Sequence, residues 1–128
     1  MKKVLLSIKI AAVLLIYTKY LSAESGLIGW ATYNDHGQNG TTGGGNGSIV
    51  WVTSKTDLEN YTGAAEPYVI LVEGSFSGSG MVEVASNKSI IGAGNGATFD
   101  GFGINVNGKK NIILRNLTIK NASPDAIA

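Results

Sequence analysis

Few side chains in this sequence could carry chemistry. The chain of 128 residues has no cysteine, one histidine (His36) and one arginine (Arg115). The absence of cysteine removes disulfide scaffolds, thiolate zinc sites and cysteine nucleophiles together, and a lone histidine removes any multi-histidine metal site. Gly37-Gln38-Asn39-Gly40-Thr41-Thr42-Gly43-Gly44-Gly45 sets flexible glycines beside threonine, as a phosphate cradle does. The lysine that completes such a cradle is missing and no helix pattern follows, so the stretch is expected to be a loop, with His36 at its edge facing solvent. Trp30 and Trp51 could stack on sugar rings, and packing in an N-terminal core is the use expected of them. Asp100, between Phe99 and Gly101, reads as a solvated turn residue.

Composition narrows the class. Glycine numbers 18 with only 2 prolines, about twice the usual glycine share of roughly 7%, and without collagen periodicity. The chain is 44% apolar and 15% charged, too apolar and too weakly charged for a disordered polymer. One domain fits the length. Residues 1–23 have the form of a secretory signal: Lys2 and Lys3, then the apolar run Ile10 to Tyr17, then Leu21-Ser22-Ala23 as a cleavage site. The run is too short to span a bilayer core of about 30 Å, and an uncleaved membrane anchor is the alternative. Removal of residues 1–23 takes four lysines and no acid, leaving six basic against nine acidic side chains. The mature chain is then acidic, has no basic patch to neutralise phosphates, and is not expected to bind nucleic acid or to stay on a membrane. Six N-x-S/T sequons stand at Asn39, Asn46, Asn60, Asn87, Asn116 and Asn121. Several would be surface positions in a glycosylating host, although an Asn/Ser/Thr-rich β protein also makes such triplets by chance.

The elements that must position these residues are short. Residues 24–66 read as an N-terminal loop and cap: Ile49 to Val52 is a β-rich run, and Ser54 opens a helix with Asp57 placed for a capping box and Leu58 and Tyr61 on the buried face. Residues 67–128 alternate aliphatic runs of three or four residues with Gly/Asn/Ser punctuation, from Val69-Ile70-Leu71-Val72 to Leu117-Thr118-Ile119. Hairpin meanders favour strands of about five or six residues. Ile70, Ile91 and Ile113 recur at intervals near 22, and Asn87 to Ile91 echoes Lys109 to Ile113. Such a period is the signature of a parallel β-solenoid whose aliphatic side chains stack coil on coil, with the Ser54 helix capping one end; an antiparallel sandwich is the competing fold. Asn105 and Asn107 flank Val106, so they face solvent if Val106 points inward and form an internal ladder if it points outward.

Several stretches together carry a resemblance. They are Gly29-Trp30-Ala31-Thr32, then Thr41-Thr42-Gly43-Gly44, then Ser86-Asn87-Lys88-Ser89-Ile90-Ile91-Gly92-Ala93-Gly94, then Asn111-Ile112-Ile113-Leu114-Arg115-Asn116-Leu117-Thr118-Ile119, and Asp125-Ala126-Ile127. In order and spacing the chain resembles the pectate lyase family, polysaccharide lyase family one, in its secreted bacterial and fungal branch. The resemblance implies an all-β, right-handed parallel β-helix, here about three coils with a short N-terminal capping helix, incomplete at the C-terminus. It implies a secreted, extracellular, monomeric enzyme that cleaves polygalacturonate, the backbone of pectin, by calcium-assisted β-elimination. Asp125 resembles a calcium-coordinating residue of the family; the second acid that some relatives carry two positions earlier is here Ser123. Arg115 matches a β-helix coil position and not the catalytic arginine. That base and most calcium ligands match no residue of the sequence, so the 128-residue chain is expected to be inactive by itself. Two other readings stay open: a non-catalytic secreted adhesin or carbohydrate-binding surface, and a β-helix hydrolase, which would need clustered aspartates.

Overall fold

The computed structural model describes residues 29–35 and 37–128. The expected signal at residues 1–23 and His36 lie outside the described residues, as does the Trp30 side chain. The chain forms two compact units, dividing after Gly40. In the first, a 3-10 turn at Gly29–Thr32 is closed by Thr32 Oγ1 donating to the Gly29 carbonyl at 2.8 Å. It is followed by a small antiparallel ladder of β1 (Asn34–Asp35) and β2 (Gln38–Asn39), where a loop was expected.

The second unit contains β3 (Ser48–Val52), α1 (Lys55–Gly63), β4 (Tyr68–Ser77), β5 (Met81–Glu83), β6 (Lys88–Asp100), β7 (Gly103–Asn105), β8 (Ile112–Arg115) and β9 (Leu117–Lys120). Every pairing among its strands is parallel. The pairing of the long strands β4 and β6 shifts register between Val72 and Gly74 of β4, opposite Gly92 to Ala97 of β6, so each serves two faces. The first face stacks β3, the start of β4, the start of β6, and β8. The second stacks the ends of β4 and β6 with β9. The third stacks β5 on β7 and is continued by a parallel bridge from Ile104 to Ile127. This is a right-handed parallel β-helix, as parallel crossovers require of L-residues.

Period-two alternation sends one side of each strand inward. Val50, Ile70, Ile90 and Leu114 align in register on the first face, Phe76, Phe99 and Ile119 on the second, and Val82, Ile104 and Ile127 on the third. Phe76 and Phe99 meet edge to face at 5.7 Å, and Phe99 stacks on Phe102 at 4.9 Å. The fully buried members, Ile70, Ile90, Phe99, Val82 and Ile104, each contribute about 1.5–3 kcal/mol against remaining in water.

The register differs from the period read in the sequence. Ile70 pairs with Ile90, not Ile91, and Ile90 with Leu114, not Ile113. Ile91 lies between Leu71 and Arg115, and Ile113 beside Ser89. The reason is unequal turns: Tyr68 is followed one coil on by Lys88, and Lys88 by Ile112, so no single interval describes the stack. The stack also begins before residue 67, because β3 pairs in full register with β4. Trp51 faces outward in β3 and is 45% exposed, against the expectation of core packing.

The helix forms and ends where its residues require. Ser54 is extended and its Oγ accepts from the Asp57 N–H at 3.1 Å. The same hydroxyl donates to Asp57 Oδ2 at 2.8 Å, so the two side chains bond each other. Leu58 is fully buried, and the Ala85 N–H of the segment after β5 donates to the Thr62 carbonyl at 2.9 Å. The helix thus packs beside β5, the first strand of the third face, and satisfies backbone groups that a preceding coil would otherwise pair.

Candidate active face around Asp125

The third face holds the residue that the resemblance selects. Inward, Val82 and Ile104 are fully buried. Outward, Asn105 Nδ2 donates to Glu83 Oε1 one coil below at 2.9 Å. Asn105 and Asn107 therefore lie on the outer side and Val106 packs on the core, the first of the two arrangements considered. The next layer is Asp125-Ala126-Ile127, all exposed. It is fixed by the Ile104 N–H donating to the Ala126 carbonyl at 2.9 Å and the Ala128 N–H to the Ile104 carbonyl at 3.0 Å. Gly103 makes the approach feasible: a Cβ there would lie 2.0 Å from the Asp125 carbonyl oxygen and 2.7 Å from Met81 Sδ. The sequence thus seats the Asp125 backbone against the third face by keeping the residue beneath it without a side chain.

A hard dication such as calcium takes six to eight oxygens. Among the described residues no group of three or more His, Cys, Asp or Glu side chains gathers to hold a metal. Asp125 offers one carboxylate, and the described residues by themselves do not fit a complete calcium site. The only arginine stands elsewhere: Arg115 is exposed at the end of β8 on the first face, beside Ile91. Asp100 is not an isolated turn residue. Asn121 Nδ2 donates to its Oδ1 at 2.7 Å and Lys120 Nζ lies 3.1 Å from Oδ2. These bonds, the Asn121 amide first, hold its carboxyl below the usual carboxylate range.

The glycine-rich stretch binds the protein's own chain. The Thr42 and Gly43 N–H groups both donate to Asn111 Oδ1, at 2.7 and 2.8 Å, and Gly44 N–H donates to Ser89 Oγ at 3.0 Å. A Cβ on Gly44 would sit 1.9 Å from the Tyr68 carbonyl oxygen. The donors that a phosphate would need are used to clasp coils together. Asn111 also donates to Asn87 Oδ1 at 2.8 Å. Asn87, Asn111, Asn116 and Asn121 all adopt left-handed φ, between 53° and 62°, at the corners of the helix. Sequence reasoning placed a candidate asparagine ladder at Asn105 and Asn107 and missed this one; the signal was the asparagine directly before the strands that begin at Lys88, Ile112 and Leu117, because asparagine is the side-chain-bearing residue that best tolerates this backbone.

The parallel pairing of every strand in three stacked faces defines a β-helix protein. Its sequence matches the pectate lyase family over residues 1–124. It is 39% identical over 108 residues to pectate lyase plyB of Emericella nidulans, covering 84% of this chain and 32% of that protein. It is 41% identical over 111 residues to a probable pectate lyase B of Aspergillus terreus, again covering 84% and 32%. A crystal structure of a pectate lyase from Bacillus sp. N165 in complex with trigalacturonate superposes with a TM-score of 0.66 at 28% identity, over 80% of this chain and 37% of that one. The chain belongs to the pectate lyase family. It spans about a third of the length of the curated relatives it matches.

Proposed function

We propose that this chain forms the first coils of a secreted pectate lyase acting on polygalacturonate by calcium-assisted β-elimination, with Asp125 as one carboxylate of the calcium site. The observation that carries this reading is the placement of Asp125: exposed, at the head of the third-face layer, in a member of the pectate lyase family. Bound calcium would withdraw charge from a uronate carboxylate and so make the neighbouring C5 proton more acidic. This chain's residues would do the preparatory work. Gly103 and the Ile104 bonds fix the Asp125 backbone, and the Glu83–Asn105 pair holds the outer surface of the same face. Secretion fits the signal-like residues 1–23, and among the described residues no helix is long and apolar enough to cross a membrane.

The same reading assigns no proton abstraction to these coils. Arg115 lies on the first face while Asp125 lies on the third. The purified chain should therefore release no unsaturated, ultraviolet-absorbing product from polygalacturonate. With the polymer's own uronate carboxylates supplying oxygens that Asp125 alone lacks, the chain should bind the polymer more tightly with calcium than with chelator, and Asp125→Asn should remove that difference. Product release by the chain would show that its residues assemble a base; calcium dependence that survives Asp125→Asn would remove the assigned ligand.

A further inference from the structure

The positive charge of the described chain is unevenly spent. Lys55 pairs with Glu59 and lies over the Phe102 ring, Lys88 is enclosed by three backbone carbonyls, and Lys120 pairs with Asp100. Among the described residues the remaining cations, Lys109, Lys110 and Arg115, form no ion pair, and all three fall in one short stretch. Lys109 and Lys110 are adjacent, exposed, and sit in the turn that leaves β7.

That turn borders the third face and is held rigid. The Val106 N–H donates to the Ala128 carbonyl at 2.7 Å, which ties the start of the turn to the layer that Asp125 heads. The Lys109 N–H donates back to the Val106 carbonyl at 3.0 Å, and the Lys110 N–H donates to Ser86 Oγ at 3.1 Å. Asn111, next in the chain, is anchored by Asn87, Thr42 and Gly43. Two ammonium groups are thus carried on a fixed backbone at the edge of the candidate active face, with their charge free. A fixed pair of cations loses less freedom on binding than a pair on a mobile loop.

We propose that Lys109 and Lys110 form a carboxylate-binding subsite that engages unesterified uronate groups of an acidic polysaccharide lying on the third face, independently of calcium. The proposal rests on the pectate reading for its ligand and adds the residues that would sense the polymer's free carboxylates. Methyl esterification removes the charge, so the subsite discriminates pectate from esterified pectin by electrostatics.

The test is affinity electrophoresis of the full chain through gels containing polygalacturonate, fully methyl-esterified pectin, or dextran sulfate as a polyanion without carboxylates, each run in chelator and in calcium. In chelator the wild-type chain should be retarded by polygalacturonate, less so as salt rises, and not by esterified pectin. Lys109→Gln/Lys110→Gln should weaken that retardation about 3- to 10-fold, and Lys109→Glu/Lys110→Glu should abolish it. Both variants should keep the wild-type melting temperature, since the structure uses only the backbone of these residues. Wild-type retardation by the double glutamine variant overturns the proposal. Equal retardation by dextran sulfate and polygalacturonate, lost together, overturns its uronate specificity. Binding that needs calcium and Asp125 but not the lysines also overturns it while leaving the pectate reading intact, whereas no binding to polygalacturonate under either condition counts against both.

Discussion

Asn111 donates its side-chain amide to Asn87 Oδ1 across one coil at 2.8 Å, and both residues hold left-handed backbone. Its carbonyl oxygen accepts from the Thr42 and Gly43 N–H groups, so one side chain joins two coils to the glycine-rich clasp. Asn111→Ala loses these bonds and forces a poor φ. It should lower stability by about 1–3 kcal/mol in urea unfolding. Asn111→Gly keeps the backbone and loses only the bonds, so its smaller loss measures the side chain directly.

The clasp also fixes which glycines tolerate a methyl group. Gly44→Ala places Cβ 1.9 Å from the Tyr68 carbonyl oxygen, whereas Gly63→Ala meets nothing within 4 Å. The first should cost more than about 2 kcal/mol, and the second should be neutral or stabilise by up to about 1 kcal/mol. Paired urea midpoints check both.

Lys88 is fully buried, with Nζ donating to the Ala64, Glu66 and Ser86 carbonyls at 2.8, 2.7 and 3.1 Å. Lys88→Met leaves those carbonyls without their donor and should destabilise by about 1–3 kcal/mol at neutral pH. Burial pulls the lysine below its ordinary value of 10.5, opposed by the Glu66 carboxylate. Between the lowered folded value and 10.5 the unfolded chain holds more protons, so this group adds stability as pH rises through that window. The gap between wild type and Lys88→Met should widen over the same range; a gap that narrows would reverse the assigned direction.

Asp100 titrates the other way. Asn121 and Lys120 hold its carboxyl low, so its contribution is present above the unfolded value near 3.8 and is lost as pH falls through the folded one. Asn121→Ala should raise the Asp100 titration midpoint in a carboxyl NMR titration, and an unchanged midpoint would remove the Asn121 bond as the main cause.

Much of the architecture could be read from residues because aliphatic runs punctuated by glycine and asparagine have few folded solutions. The runs at Val82, Ile104 and Leu117 became strands, and their pairing is parallel. Register was not legible, because it depends on turn lengths that vary from coil to coil. Ile91 therefore meets Arg115 where Ile113 was expected. Trp51 was misjudged because size and apolarity do not say which side of a strand faces in, and one residue of shift reverses the answer. Asp125 was reachable only through the resemblance: a single exposed aspartate before Ala-Ile has no physical signature until Gly103 and Ile104 are seen to seat it. The clasp made by Thr42, Gly43 and Asn111 joins residues far apart in sequence, and nothing local announces it.

The most direct measurement is an amide-resolved NMR titration of the chain with calcium in the presence of polygalacturonate. Shifts centred on Asp125 to Ile127 and on the neighbouring Gly103 and Ile104, absent in Asp125→Asn, are the predicted result. Shifts centred on the first face near Arg115, or a pattern unchanged by Asp125→Asn, would contradict the assignment of the third face as the pectate-binding surface.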